Sequence, residues 1–265
     1  MASLPGSRRY ILWNNTNVGV ESMAFGPAGM GYDRAITIFS PDGKLYQVEY
    51  ASVAVRQGWT VIGLRGKDSG VLISEKRQQF SLMDLRALEK IFIIDTHVGA
   101  SFAGLGADGR VLIDYARRIA ANHRFLYDEP IDLETLVRNV GDLKQVFTQQ
   151  GGVRPFGVSL VFVGGDRKGV HVYRTEPNGL YFQYFAVAVG SGEQVVHEFL
   201  EKNYRRDLSL EDLILLGLKA LGASSEQPLT VDRLEIGYIR EDEKVFRKMG
   251  EDEIRDYLSK LGVSR

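Results

Sequence analysis

No cysteine occurs anywhere in the 265 residues. Disulfides, thiolate nucleophiles and cysteine-ligated zinc are excluded together. Histidine is almost as scarce, and His97, His123, His171 and His197 stand too far apart in sequence to suggest a metal cluster, so neither metal nor cofactor is expected. No apolar run approaches the roughly 18 residues that a membrane span needs, and no signal-peptide apolar core is present. Charge of one sign is missing too: 33 lysines and arginines meet 34 acidic residues, a net charge of −1, so no basic field would hold nucleic acid or an anionic membrane. These absences predict a cytoplasmic protein without nucleic-acid or membrane partners. What is present is 44% hydrophobic residues, enough for a sizeable core.

Residues 1–31 carry five glycines and two prolines and fit no periodic element. Beyond them the pattern is regular. Apolar runs at 59–65 and 70–74, separated by a turn-forming GKDS, read as a hairpin, and 90–95 with 97–103 read as a second, the four strands forming one sheet. Amphipathic helices follow at 108–123, with Val111, Leu112, Tyr115 and Ile119 on the apolar side, and at 132–149, where Asp132 stands as N-cap. After Gly151 and Gly152, runs at 158–163, 170–173 and 181–189 predict a second antiparallel sheet. Ser191 with Gln194, and Ser209 with Asp212, read as the openings of two more helices. A strand pair at 233–239 and 245–248 precedes a last helix at 252–261. The order sheet, two helices, sheet, two helices has no Pro- or Ser-rich divider. It predicts an α+β fold in one domain, two stacked sheets flanked by helix layers in a four-layer αββα sandwich.

The most specific stretch is 32–51, YDRAITIFSPDGKLYQVEYA. Alternation over 35–39 has strand periodicity, Ser40–Gly43 has turn chemistry, and Leu45, Val48, Ala51 and Val55 mark the apolar face of a helix over 44–57. This wording closely resembles the signature of proteasome α-subunits, including archaeal ones, and the resemblance runs from about Met23 to Leu261. It divides the chain into an N-terminal extension and gate tail, 1–31, and an α-type domain, 32–265. Residues 1–22 are surplus to the family pattern and read as an upstream start codon wrongly included, the alternative being a genuine extension that adds mass at the gate.

The resemblance implies a fold like that of the N-terminal-nucleophile hydrolases, in a non-catalytic member. In active members of that fold a processed threonine attacks, with its own free amine as base. Here the matching strand begins mid-chain, Trp59 stands where the nucleophile is expected, and the nitrogen of the adjacent Thr60 is locked in a peptide bond. The resemblance further implies an α-subunit of the 20S core: partners would be other α-subunits in a seven-membered ring, β-subunits, an ATPase activator docking by its C-terminal tails, and unfolded substrate chains in transit. It assigns gate support to Tyr32, Asp33, Pro41 and Tyr50, and activator binding to Gly58, Lys90 and Leu105. A bland alternative makes Lys90 a solvated lysine at a strand start. Other readings of the whole are a hydrolase active on its own, opposed by Trp59, and a free-standing interaction module. Ser52 and Val53 depart from the Arg-Glu that often follows the family's EYA. QQGGVRPFG, 149–157, matches an α-subunit stretch in which Arg154 reads as a loop anchor. GLGADG, 104–109, lacks the third glycine spacing of a dinucleotide loop and precedes no βαβ unit.

Overall fold

Two five-stranded antiparallel sheets lie face to face in the computed structural model, which describes residues 37–78 and 80–262. The first contains β1 (Val61–Arg65), β2 (Ser69–Glu75), β8 (Ala186–Val189), β9 (Leu234–Arg240) and β10 (Arg247–Lys248), in the order β10-β9-β2-β1-β8. The second contains β3 (Phe92–Asp95), β4 (Val98–Gly104), β5 (Val158–Asp166), β6 (Gly169–Thr175) and β7 (Tyr181–Tyr184), in that order. Helices α2 (Gly106–Tyr127) and α3 (Leu133–Gln149) cover the outer face of the second sheet. Helices α4 (Glu193–Asn203), α5 (Leu210–Ser224) and α6 (Glu251–Lys260) cover the first. The four-layer αββα order is therefore present. Along β1 the period of two is read directly: Val61 turns between the sheets, while Ile62 and Leu64 turn to the helices. No helix among the described residues is long and apolar enough to cross a membrane.

The allocation of strands differs from the sequence expectation. The first four strands do not share a sheet, because the 76–91 connection carries the chain from β2 to β3 on the opposite layer. The run 181–189 is likewise two strands, β7 at the edge of one sheet and β8 at the edge of the other, parted at Phe185. Strands buried on both faces show alike whichever sheet they join, so hydrophobic pattern carries no sheet address. Of the expected strand over 35–39, residues 37–39 are irregular, with Ile38 and Phe39 exposed; the rest lies outside the described residues, as do 1–31 and with them the reading of 1–22 as an upstream start.

Helix ends correct two expectations and bear out a third. Asp132 occupies the N-cap of α3 without making a side-chain cap; the Leu133 amide donates instead to Asp166 Oδ2 at 3.4 Å, across the layer boundary. Ser191 does not open α4, which is capped at Gly192, because its hydroxyl accepts from Arg77 at 2.8 Å. Ser209 does cap α5, accepting from the Asp212 amide at 3.2 Å. In α2 the buried stripe is Gly109, Leu112, Ile113, Ala116 and Ala120, while Val111 is exposed. Small residues face inward there because the helix lies almost on the sheet: a Cβ at position 109 would sit 2.5 Å from the Phe102 ring.

Candidate docking site at the β4–α2 junction

Helix α1 (Tyr46–Gln57) precedes the sandwich and ends on it. Its two buried residues, Ala51 and Val55, face the protein. Gly58 then stacks on the end of β4, where a Cβ would lie 2.2 Å from the Gly104 nitrogen. Gly104 has φ +117 and itself lies against Gly157, whose carbonyl oxygen would be 2.2 Å from an added Cβ. Only glycines permit this backbone-on-backbone approach of α1, β4 and the start of β5. Leu105 follows, 45% exposed, its amide donating to the Gly157 carbonyl at 2.9 Å.

Beneath this junction lies Lys90. Its Nζ donates to the Phe102 carbonyl at 2.8 Å and stands 4.2 Å from the centroid of the Phe102 ring and 5.2 Å from that of Trp59. The side chain is only 6% exposed, so the solvated-lysine alternative is overturned. Burial pushes its pKa down from the ordinary lysine value to about 8, against the pull of the Glu235 carboxylate. Glu235 also fixes the backbone there, accepting from the Lys90 amide at 3.1 Å and the Ile91 amide at 2.8 Å. Gly58, Lys90 and Leu105, far apart in sequence, are thus brought to one junction. The group offers a desolvated cation under an apolar rim. An ammonium has three donors, and the Phe102 carbonyl takes one.

The residues assigned to the gate are more scattered. Tyr32 and Asp33 lie outside the described residues. Pro41 is exposed in a turn closed by the Gly43 amide donating to the Ser40 carbonyl at 2.8 Å. Tyr50 is half exposed on α1 and stacks on Tyr46 with centroids 6.3 Å apart. Ser52, at the departure from the family's Arg-Glu, turns its hydroxyl back to the Val48 carbonyl at 3.0 Å.

Comparison with known proteins decides the lineage. The family model described as "Proteasome subunit" matches residues 55–239, and the model for the N-terminal signature of A-type proteasome subunits matches 32–52. The proteasome alpha subunit of Saccharolobus islandicus strain L.S.2.15 is 56% identical over 241 residues, covering 90% of this chain and all of the relative. Its namesake in Saccharolobus solfataricus gives the same identity and coverage, and that in Sulfurisphaera tokodaii is 53% identical over 242 residues, again covering 90% and 100%. The chain belongs to the proteasome subunit family, in its α type.

The α type is the non-catalytic kind of proteasome subunit, and the two residues that lead into the first strand of this one have the chemistry to match. Trp59 carries no hydroxyl. Thr60 is fully buried, its nitrogen is a mid-chain amide, and its Oγ1 accepts from the Gly192 amide at 3.1 Å. Neither residue supplies a nucleophile with a base beside it. Three features of the junction were not found by sequence reasoning: the Trp59 and Phe102 rings around Lys90, the Glu235 carboxylate behind it, and the partner of Arg154. Pattern reading had no signal for the first two, since β9 lies some 145 residues downstream of Lys90. For the third the only signal was an arginine inside a long matching motif.

Proposed function

We propose that this proteasome α-subunit forms, with copies of itself or close relatives, a seven-membered outer ring of the 20S core in the cytoplasm. The ring docks on β-subunits, limits entry to unfolded chains, and receives the C-terminal tails of an ATPase activator at Gly58, Lys90 and Leu105. Tyr32, Asp33, Pro41 and Tyr50 support the gate. The observation that carries the reading is the convergence at the β4–α2 junction: a shielded ammonium with donors to spare, backed by two aromatic rings and rimmed by an exposed leucine. A tail carboxylate meeting Lys90 there makes a charge-assisted hydrogen bond with little competition from water. Gly58 keeps the backbone low enough for a peptide to approach, and Leu105 gives it an apolar contact.

The test is an α/β complex carrying Lys90→Met. Methionine removes the charge without placing a carboxylate beside Glu235 and the Phe102 carbonyl, as Glu would. A charge-assisted bond contributes about 1.5 to 3 kcal/mol, a roughly tenfold to hundredfold weakening for one tail. Several tails on one ring multiply the loss. Activator-stimulated hydrolysis should vanish while electron microscopy still shows complete rings. Full stimulation of that variant would remove Lys90 from any docking role, and a chain that stays monomeric with β-subunits present would sink the ring.

A further inference from the structure

The motif 149–157 gives its arginine a partner that no local pattern announces. Arg154 lays its guanidinium fork on the Asp108 carboxylate, Nη1 to Oδ2 at 2.6 Å and Nη2 to Oδ1 at 2.7 Å. The Gly157 amide donates to the same Oδ2 at 2.9 Å. Asp108 is buried in the first turn of α2, where a negative charge also suits the helix N-terminus. Two short paths lead from this pair to the docking group. The residue after Asp108 is Gly109, which packs face-on against the Phe102 ring, and Phe102 holds the Lys90 ammonium by both its ring and its carbonyl. The residue whose amide Asp108 captures is Gly157, which accepts from the Leu105 amide and fits beneath the Leu105 side chain; a Cβ at 157 would lie 2.8 Å from Leu105 Cδ1. The ion pair therefore stands one residue from the support of the cation and one contact from the support of the rim.

We infer that Asp108 and Arg154 are positioning residues for tail docking: by fixing the first turn of α2 against the 154–157 loop, they hold Lys90 and Leu105 in the mutual register that a carboxylate-ended peptide needs. This rests on the docking reading above. A pair that served stability alone would have no cause to alter the affinity for a tail in particles that assemble normally. A bidentate fork fixes orientation as well as distance, and lysine reproduces only the charge.

The experiment uses the assembled α/β particle and a synthetic peptide of the activator's C-terminus with a free carboxylate, its amide-capped form serving as control. Peptide hydrolysis is followed against tail concentration in wild type, Arg154→Met, Arg154→Lys and Lys90→Met. Arg154→Met should raise the half-saturating tail concentration about tenfold while the rate at saturation holds, and Arg154→Lys should restore about half of that loss on a logarithmic scale. Unchanged half-saturation in both Arg154 variants, or a fall in the saturating rate at unchanged half-saturation, overturns the inference and leaves the pair structural. Should Arg154→Met fail to assemble, Arg154→Lys decides by the same criterion. Equal stimulation by free and capped tails, or no effect of Lys90→Met, removes the docking reading and this inference with it. Stimulation that needs both the carboxylate and Lys90 yet ignores Arg154 removes this inference alone.

Discussion

Lys90 and Lys144 are both lysines taken out of water, and they serve to show what burial alone does not reveal. Lys144 lies on α3, fully buried against the second sheet. Its ammonium donates to the Val158 carbonyl at 2.9 Å and to Thr175 Oγ1 at 3.0 Å, and burial drives its pKa down to about 7, with Glu176 pulling up and Arg174 pushing down. Lys90 has a similar depression from the same cause, to about 8. The difference lies in what surrounds each nitrogen. Around Lys144 every neighbour is another part of the core, and the hydrogen bonds tie α3 to β5 and β6. Around Lys90 there are one carbonyl, two ring faces and the charge of Glu235, and the exposed Leu105 follows directly on the end of β4. A depressed lysine pKa marks desolvation. Spare donors next to a surface mark a place where a ligand can be met.

If that contrast is right, removing each charge should fail in a different way. Lys90→Met is expected to cost the activator response, as argued above. Lys144→Ala should leave docking alone and lower stability by about 2 to 4 kcal/mol, since it opens a cavity and strands a buried carbonyl and hydroxyl. Urea unfolding of the two variants at one protein concentration checks this; a Lys144→Ala chain as stable as wild type would break the comparison, as would one that folds fully yet loses tail binding.

How much of this was legible beforehand follows from which forces are local. Strand and helix positions were readable almost throughout, because alternation and 3.6-residue periodicity are properties of neighbouring residues; α5, α6 and the β1–β2 hairpin lie within a few residues of the expected bounds. Sheet membership was not readable, because the turn at Phe185 and the 76–91 crossover are decided by tertiary packing. Gly58, Lys90 and Leu105 were named through family resemblance, not through any periodicity. Their closeness depends on the glycine stack at 58, 104 and 157, and on Phe102. The burial of Lys144 was hidden altogether: at its place on the apolar face of α3, a charged residue breaks the pattern, and only the inward-facing oxygens of Val158 and Thr175 make it tolerable.

A pH series should sharpen the contrast in stability. For Lys144 the folded value is about 7 and the unfolded one is the ordinary 10.5. Between these the unfolded chain holds one more proton, so stability rises with pH; below the folded value the penalty of burying the charge is felt in full. The slope contributed is at most about 1.4 kcal/mol per pH unit. Lys90 adds a slope of the same sign over a narrower window starting near 8. Tyr173, held up to about 12 chiefly by burial, acts with the opposite sign only above its unfolded value near 10. Between pH 7.5 and 9 stability measured by urea should therefore climb in wild type, climb least in Lys144→Met, and climb by an intermediate amount in Lys90→Met. A flat wild-type profile, or a slope undiminished in Lys144→Met, would show that Lys144 stays charged in the fold.

The smallest effect isolates Lys90. A tail carboxylate is attracted to the ammonium form alone, and bringing it close favours that form, so the bound state holds its proton to a higher pH than the free site. Affinity should be level below pH 8, where free Lys90 is charged, and fall by up to about tenfold per unit above it until the bound form too begins to lose its proton. Neither the Trp59 nor the Phe102 ring titrates, Glu235 is the carboxylate whose charge acts on Lys90, and a free tail carboxylate is ionised throughout this range. Lys90 is the cation of the junction whose charge this series changes. Fluorescence anisotropy of a labelled tail on assembled particles from pH 6.5 to 9.5 reads the curve, with Lys144→Met as the control that should trace wild type. A fall that moves with Lys144→Met, or affinity that stays level to pH 9.5, would mean that the ammonium at the β4–α2 junction is not what the carboxylate meets.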